Sequence, residues 1–299
     1  MLNKIFVNLM PDFMIRYFAR PYVAGDSIEL GLHKSKELWQ DRNIYSTLDL
    51  LGEEVSTREL VNNNLNTYLE LVSKLKGIDH ATISVKLSAL GTHESEAYCL
   101  ENMRELLKIA TENNIKLTID MEDHNYTDQT LRIYNTLLAE FPSLGIVLQS
   151  RLFRTEQDVQ DLNGKKARIR ICIGIYKEPK NIALQHKPDM KIKLIEYTKT
   201  MIEAGHYVEV ATHDRNTINT ILLTAEQEKW SKDQIEFQQL LGVPLNDFQQ
   251  EIIERGYKMR LYVPFALDWK FAIPYLKRRL INNPKMATYV IKHRIFGKS

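Results

Sequence analysis

The chain has 299 residues, and its 40 Lys and Arg against 38 Asp and Glu leave a formal net charge of +2. Hydrophobic residues make up 44 % and charged residues 26 %, which is typical of a globular protein with a sizeable core. The near balance of charge argues against a nucleic-acid partner, which usually needs a concentrated basic surface. Cys99 and Cys172 have no metal-binding spacing, so we expect buried thiols in a reducing compartment.

The first element in chain order is an apolar N-terminal stretch. Met1 to Phe18 is broken by polar residues and by Pro11, and it lacks the continuous apolar run and cleavage site of a signal peptide. No segment reaches the roughly eighteen apolar residues that a membrane-spanning helix needs. Leu9 to Tyr22 is predicted to form an amphipathic helix that docks on the domain, with a position on a membrane surface as the alternative.

Short β-branched runs alternate with segments of helical periodicity from residue 44 onward. A capping box, Ser56-Thr-Arg-Glu59, predicts the start of one helix. The predicted strands are Ile44–Leu51, Ala81–Leu87, Lys116–Met121, Gly145–Gln149, Ala167–Ile175, Tyr207–Thr212, Ile235–Leu240 and Met259–Val263. Eight strands separated by helices predict an α/β protein with a (β/α)₈ barrel of the TIM type.

A doubly wound open sheet is the competing architecture. It usually shows a glycine-rich turn after the first strand, where this chain has only Gly52. No linker or low-complexity tract divides the sequence. We therefore predict an N-terminal helical extension over residues 1–43 and a barrel over residues 44–299 that closes with a helix from Asn283 to Ser299.

Polar residues recur at the predicted carboxyl ends of the strands, where barrels of this kind carry their sites. They are Lys86, Asp120, Gln149, Arg170, Thr212, His213, Asp214 and Tyr262. A cation within an apolar strand is costly unless it is paired or faces a polar cavity, so Lys86 and Arg170 predict a charged site.

Two adjacent arginines, Arg278 and Arg279, follow the aromatic residues Tyr262, Trp269 and Tyr275. The guanidinium fork pairs bidentately with a carboxylate, so this pattern favours a small carboxylate with an apolar body. A basic helix face in water is the alternative interpretation.

Acidic residues and histidines near two strand ends also invite a metal-hydrolase interpretation. They are Asp120, Glu122, Asp123, His124, His213 and Asp214. No His-x-His pair follows the first strand, and the convergent cations favour an anion or an anionic cofactor over a metal. Two structural alternatives remain: Asp120 as the buried partner of an arginine, and His213 as a packing residue.

These strand-end segments resemble, in order, those of the proline dehydrogenase family, the flavin-dependent barrel enzymes that begin proline catabolism. The resemblance runs from about Phe18 to Asn283. It includes Thr47-Leu-Asp-Leu-Leu-Gly-Glu, Val85-Lys-Leu-Ser, Asp120-Met-Glu-Asp, Leu148-Gln, Arg154-Thr-Glu-Gln-Asp, Arg170 with Gly174 and Tyr176, Ala211-Thr-His-Asp, Glu236-Phe-Gln-x-Leu-x-Gly, and Tyr262 with Arg278-Arg279.

The resemblance implies a distorted barrel that holds FAD at its mouth, oxidises L-proline to Δ1-pyrroline-5-carboxylate and passes electrons to a membrane quinone. It also implies a cytoplasmic protein or one held at the inner face of the membrane. By position, the implied catalytic residues are Asp120, which would orient the basic groups, and Arg170, near the flavin N5. Lys86, Arg278 and Arg279 would bind the substrate carboxylate, and Tyr262 would pack against the proline ring. Met121, Gln149, the Ile173, Gly174 and Ile175 backbone, Thr212 and His213 would line the FAD.

Three positions depart from the family pattern. Ile173 stands where the family usually has a lysine, Ala266 where a glycine is common, and Asn282 where a glutamate would pair with the arginines. Two alternatives follow from these departures: a flavin-dependent dehydrogenase of a proline analogue, and a non-catalytic barrel that acts as a binding protein.

Overall fold

In a computed structural model, which describes residues 7, 9–52 and 55–282, eight strands of the described chain form a closed barrel. Every neighbouring pair of strands is parallel, and the last strand pairs with the first. The strands are β1 Tyr45–Leu50, β2 Ala81–Val85, β3 Leu117–Ile119, β4 Gly145–Gln149, β5 Arg168–Cys172, β6 Tyr207–Ala211, β7 Ile235–Leu240 and β8 Lys258–Phe265. The predicted (β/α)₈ architecture is confirmed.

Helices connect the strands and cover the outside of the barrel. They are α1 Asp12–Ala19, α2 Ile28–Arg42, α3 Arg58–Lys74, α4 Glu96–Glu112, α5 His124–Leu138, α6 Thr155–Gln160, α7 Lys187–Glu203, α8 Arg215–Gln227, α9 Asn246–Glu254 and α10 Trp269–Asn282. Short 3₁₀ turns occupy Arg20–Tyr22, Leu87–Ala89 and Lys232–Gln234. Each helix in the described ranges is too short or too polar to span a bilayer. The predicted closing helix from Asn283 to Ser299 lies outside the described residues.

Several predicted boundaries were wrong for local reasons. β5 ends at Cys172 and not at Ile175, because Gly174 takes a φ of +96° that leaves the extended conformation. β8 continues beyond the predicted Val263 to Phe265, since β1 provides hydrogen-bonding partners along that length. The cap of α3 is Thr57, whose hydroxyl accepts from the Leu60 amide, and not Ser56.

The alternation of side chains along the strands separates an apolar layer from a polar interior. Outward-facing residues such as Leu48, Ile83 and Phe237 are fully buried beneath the helices. Each stabilises the fold by about 1.5–3 kcal/mol relative to an exposed side chain. Inward positions are polar, as in the hydrogen bond of 3.0 Å between the Thr47 and Thr82 hydroxyls. The barrel interior therefore accepts charged groups.

The N-terminal helix α1 packs on the last described helix, α10. Ile15 and Tyr22 join Ala272 and Leu276 in a small apolar cluster separate from the main core. The opposite face of α1 leaves Phe13 and Tyr17 exposed. The N-terminal segment thus docks on the domain and still presents apolar side chains to solvent.

Candidate functional site

The carboxyl ends of the strands carry a chain of buried charges that begins at Lys86. Lys86 follows β2 directly, and its Nζ lies 2.8 and 2.9 Å from the two carboxylate oxygens of Asp49 in β1. Burial by itself would lower the pKa of Lys86, but Asp49 and the other negative partners outweigh it and hold that pKa well above its usual value. Lys86 is a fixed, buried cation at the barrel mouth.

Asp120 accepts hydrogen bonds from residues of three other strands. It follows β3, and its Oδ1 accepts from Arg170 Nη1 at 2.7 Å and from the Ser84 hydroxyl at 2.9 Å. Its Oδ2 accepts from the Tyr262 hydroxyl at 2.5 Å and lies 3.6 Å from Lys86 Nζ. One carboxylate therefore fixes two cations and a phenol from β2, β5 and β8. The alternative of a buried arginine partner correctly describes its contacts.

Tyr262 remains a hydrogen-bond donor in this environment. Burial, and then the Asp120 carboxylate, raise the pKa of Tyr262 well above its ordinary value. The Arg170 guanidinium lies 5.5 Å from the centre of the Tyr262 ring, which adds a cation–π contact. Tyr262 lies within β8, three residues before its end, and not at its last position as the sequence suggested.

A second layer of charges lies beneath Arg170 inside the barrel. Glu209 accepts from Arg168 at 2.6 Å and from the Gln238 amide at 2.7 Å, and its Oε2 lies 3.5 Å from Arg170 Nε. Burial would raise the pKa of Glu209, but Arg168 and Arg170 hold it down at about 2. Arg260 and Glu236 form a further ion pair in this layer, at 2.5 Å. These pairs satisfy the buried cations of the strands.

The Gln149 side chain at the end of β4 lies against the backbone of Gly174 in the loop after β5. A Cβ at Gly174 would lie 2.1 Å from Gln149 Oε1, so only glycine fits there. Gln149 Nε2 donates to the Glu122 carbonyl at 2.9 Å. Its buried Oε1 accepts no hydrogen bond from the described part of the chain. The acceptor is available to a ligand.

His213 lies two residues after the end of β6, and its imidazole ring is neutral. Its Nε2 accepts from the Leu240 amide at 3.0 Å, so the ring proton is on Nδ1. Burial, together with Arg279, lowers the pKa of His213 to about 4. Thr212 beside it accepts from the Asp214 amide at 3.2 Å. Thr212 follows β6, which ends at Ala211, and does not belong to the strand as predicted.

The paired arginines of α10 are turned toward the mouth. Arg279 packs over Tyr275 one helical turn earlier, with its guanidinium 4.9 Å from the ring centre. It acts electrostatically on His213 and on Cys172, whose pKa burial raises to about 11. The Arg278 guanidinium lies 6.0 Å from the Tyr176 ring centre and interacts electrostatically with the Asp49 carboxylate. The basic face of α10 is thus near the strand ends and not in open water.

The remaining predicted residues occupy loops at the same end of the barrel. Met121 is buried directly after Asp120, and Ile173 and Ile175 flank Gly174 with partly buried side chains. Ala266 is buried just after β8, and Asn282 is the last residue of α10. None of their side chains has a described hydrogen bond to the Asp120 cluster. Their positions suit residues that line the mouth of the barrel without making a polar contact there.

The acidic residues of the metal-hydrolase alternative cap helices or loops. Asp123 accepts from the Asn125 amide at 2.9 Å and Asp214 from the Thr217 amide at 3.0 Å, at the starts of α5 and α8. Glu122 accepts from the Ser88 amide and hydroxyl. His124 Nδ1 lies 2.7 Å from Glu178. No group of three or more metal-ligating side chains occurs within the described residues.

Two carboxylates of the buried charge network were not among the residues predicted from the sequence. Asp49 and Glu209 each bond a buried cation, yet both lie within strands and not at their ends. A charged residue at one inward position of an apolar strand, as in Val208-Glu-Val210, is the signal that could have identified them. Tyr275 was noted only as an aromatic neighbour, and its contact with Arg279 required the helix geometry.

The sequence matches known proteins over most of its length. The family model described as proline dehydrogenase matches residues 32–175 and 183–291. Proline dehydrogenase 1 of Bacillus subtilis subsp. natto is 31 % identical over 97 % of this chain and 95 % of that protein. Proline dehydrogenase of Deinococcus radiodurans is 32 % identical over 93 % of this chain and 90 % of that protein.

Solved structures share the fold at lower identity. Proline utilization A from Bdellovibrio bacteriovorus, inactivated by N-propargylglycine, superposes with a TM-score of 0.82 at 23 % identity. The match covers 94 % of this chain but 34 % of that longer protein. Proline utilization A from Corynebacterium freiburgense superposes with a TM-score of 0.77 at 18 % identity, over 98 % of this chain and 34 % of that protein.

Proposed function

Since this chain belongs to the proline dehydrogenase family, we propose that it oxidises L-proline to Δ1-pyrroline-5-carboxylate with FAD as its cofactor. The observation that carries the proposal is the buried cluster in which Asp120 joins Arg170, Tyr262 and Lys86 at the barrel mouth. A cluster with two buried cations suits an anionic substrate or cofactor. The same end of the barrel carries the two arginines of α10.

Arg278 and Arg279 are proposed to bind the carboxylate of proline. A guanidinium fork on a carboxylate fixes its plane, and two of them restrict the substrate to one orientation. Tyr262 would pack against the apolar ring of the substrate, because Asp120 and Lys86 hold its phenol in place. Asp49 holds the Lys86 ammonium in place through both carboxylate oxygens. We propose that this fixed cation supplies positive charge to the carboxylate site.

The residues at the ends of β4, β5 and β6 fit a flavin. Gln149 Oε1 is a buried acceptor and Arg170 Nη2 is a buried donor, and neither has a partner in the described ranges. Gly174 presents bare backbone beside Gln149 at the same edge of the barrel. These groups and the neutral Nδ1–H of His213 would hold FAD, with Met121, Thr212, Ile173 and Ile175 as its lining. When bound, FAD supplies the acceptor for the hydride that leaves proline.

The chain's own contribution to the chemistry is electrostatic. Arg170 keeps a positive charge at the site. Asp120 and Glu209 fix its orientation, and neither of them occupies its Nη2 donor. The amine of proline must lose a proton before oxidation. Because the Asp49, Asp120 and Glu209 carboxylates are already bonded to cations, we propose that water accepts this proton.

The electron acceptor is proposed to be a membrane quinone, reached while the protein binds at the inner face of the membrane. Leu9, Phe13 and Tyr17 are spaced four residues apart, and their side chains are 79 %, 71 % and 44 % exposed. Phe13 and Tyr17 lie one turn apart on α1 and line one surface with Arg16 and Arg20, and Leu9 precedes the helix. This composition suits an anionic lipid surface. The compartment we propose is therefore the cytoplasm or its membrane boundary.

The first test is optical. The purified protein should be yellow, and anaerobic addition of L-proline should bleach its flavin absorbance. Hydroxyproline and pipecolate, compared with proline by dye-reduction kinetics, test the alternative of a proline analogue as substrate. A flavin that only an analogue bleaches would reject proline as the substrate. A colourless protein that takes up no FAD would favour the non-catalytic barrel.

A further inference from the structure

We infer that Arg151 is a binding residue for the diphosphate of the flavin dinucleotide. The inference rests on the proposed function, since it assumes that FAD binds at the ends of β4 and β5. Arg151 lies two positions beyond Gln149, the last residue of β4.

Arg151 is built into the wall of the mouth by backbone contacts. Its carbonyl accepts from the Leu184 amide at 2.8 Å, and the Phe153 amide donates to the Ile182 carbonyl at 3.0 Å. These bonds and the bridge between Leu152 and Ala183 join the loop after β4 to the loop after β5. The Arg151 backbone is therefore held in place, and its side chain has a defined base.

The side chain of Arg151 extends over the loop that contains Gly174. Arg151 Nη1 donates to the Tyr176 carbonyl, and a Cβ at Gly174 would lie 3.0 Å from Arg151 Cδ. The same Cβ would meet Gln149 Oε1, so the side chains of Gln149 and Arg151 both lie against Gly174. Arg151 is half-buried, whereas Gln149 is buried, so the guanidinium lies nearer to solvent. A diphosphate is the part of FAD that suits such a position.

Within the described residues Arg151 has no carboxylate partner, whereas Arg154 and Arg170 do. Arg154, three residues later, is bonded to Asp158 and Asp128, and Arg170 is bonded to Asp120. No carboxylate of the described residues lies within ion-pair distance of Arg151, and its buried Nε has no hydrogen-bond partner there. Burial lowers the pKa of Arg151, and Glu178 compensates only through space.

A phosphate group would satisfy these conditions together. It would accept from the Nε and the remaining N–H groups of the fork, and it would supply the negative charge that the desolvated guanidinium lacks. Glu178 does not fill this role, because its side chain is fully buried and lies 2.7 Å from His124. Ile173, on the same loop, offers no positive charge of its own. Arg151 is thus a cation that this wall can present to an anion.

The experiment compares flavins with and without phosphate. Apo-protein of the wild type and of Arg151→Met is titrated with FAD and with riboflavin, and quenching of flavin fluorescence gives each Kd. We expect the variant to raise the Kd for FAD about 10- to 100-fold and the Kd for riboflavin less than 3-fold, as loss of a charge-assisted contact predicts. The adenine of FAD contributes equally to binding in both proteins, so it does not affect the comparison between the wild type and the variant.

Matched variants decide between binding and a structural role. Arg154→Met removes a guanidinium that has its own carboxylates, and it should leave both Kd values unchanged. Arg151→Lys keeps the charge and should retain most of the preference for FAD. Arg151→Gln provides the neutral comparison if the methionine variant does not fold.

Equal weakening of both flavins would show that Arg151 only tethers the loop, and unchanged binding of both would show that it has no contact with the cofactor. Either result overturns the inference and leaves the proposed function in place. A wild-type protein that binds neither flavin would instead reject the proposed function.

Discussion

At the scale of single residues, the site depends on carboxylates that fix cations. Asp120 bonds Arg170 and Tyr262, and Asp49 bonds Lys86. Each buried cation would be costly to desolvate without its partner, so removing one carboxylate should disturb the charges around it more than the local packing. This difference makes the carboxylates testable by conservative amide substitutions.

We predict that Asp120→Asn lowers kcat/KM for proline by about 10²-fold. The amide keeps the shape of the side chain but loses charge-assisted bonds to Arg170 and Tyr262, each worth roughly 1.5–3 kcal/mol. Steady-state dye reduction measures the effect. Asp158→Asn, which removes a carboxylate bonded to Arg154 outside the mouth, is the control and should change kcat/KM by less than about twofold. Equal losses in both variants would contradict a specific role for Asp120.

We predict that Arg278→Met raises KM for proline strongly. Loss of one charge-assisted contact to a buried carboxylate should cost roughly 2–4 kcal/mol, or about 30- to 1,000-fold in affinity. Lys277→Met is the matched control, because Lys277 is on the same helix and its ammonium lies 3.6 Å from Asp12. If KM stays within twofold in the arginine variant, Arg278 does not bind the substrate carboxylate.

At the scale of elements, α10 connects the mouth to the N-terminal helix. Its arginines act at the strand ends, while Ala272 and Leu276 pack in the cluster that contains Ile15 of α1. One helix therefore carries the proposed substrate contacts on one part of its surface and supports the apolar face of α1 on another. A contact made by α1 with a membrane would lie next to the element that carries Arg278.

We predict that the double variant Leu9→Ser/Phe13→Ser weakens binding to vesicles. Both side chains are more than two-thirds exposed, and burying each in lipid should contribute roughly 1.5–3 kcal/mol. Sedimentation with phosphatidylglycerol vesicles, compared with phosphatidylcholine vesicles, measures the loss. Leu223→Ser, which removes an exposed leucine from α8, is the control and should sediment like the wild type. Wild-type protein that sediments with neither vesicle would contradict the proposed membrane contact.

At the scale of the whole molecule, closure of the barrel buries histidines in the neutral form. The His206 ring is fully buried and accepts from the Ala167 amide at 3.0 Å, and burial lowers its pKa. His213 has its pKa lowered to about 4, mainly by burial. The unfolded chain binds protons below the ordinary histidine pKa of about 6.5. Stability should therefore fall as the pH drops from about 6.5 to 4.

We predict that His213→Asn makes this loss of stability less steep. The variant lacks the protonation of His213 that accompanies unfolding. The slope of the unfolding free energy against pH should therefore decrease by up to about 1.4 kcal/mol per pH unit between pH 6.5 and 4. Urea unfolding at several pH values in that range measures the slope. His33→Asn changes an exposed residue of α2 and should leave it unaltered. Identical slopes in wild type and His213→Asn would mean that His213 is protonated equally in both states.

The sequence by itself determined the eight strands, their alternation with helices and the chemistry of the strand ends. These features are local, because the period of the apolar residues depends only on neighbours in the chain. Lys86, Asp120, Arg170 and Tyr262 were identified in this way. The division at residue 43 stays a prediction, as do the individual roles of the site residues.

Only the tertiary structure decided which charges pair. Lys86 bonds Asp49, and Arg170 contacts both Asp120 and Glu209, across strands separated by dozens of residues. Whether Arg278 and Arg279 face water or the mouth depends on how α10 packs against the rest of the chain, which no local pattern specifies. The physical reason is that buried charges choose partners by distance in space, and closure of the barrel sets those distances.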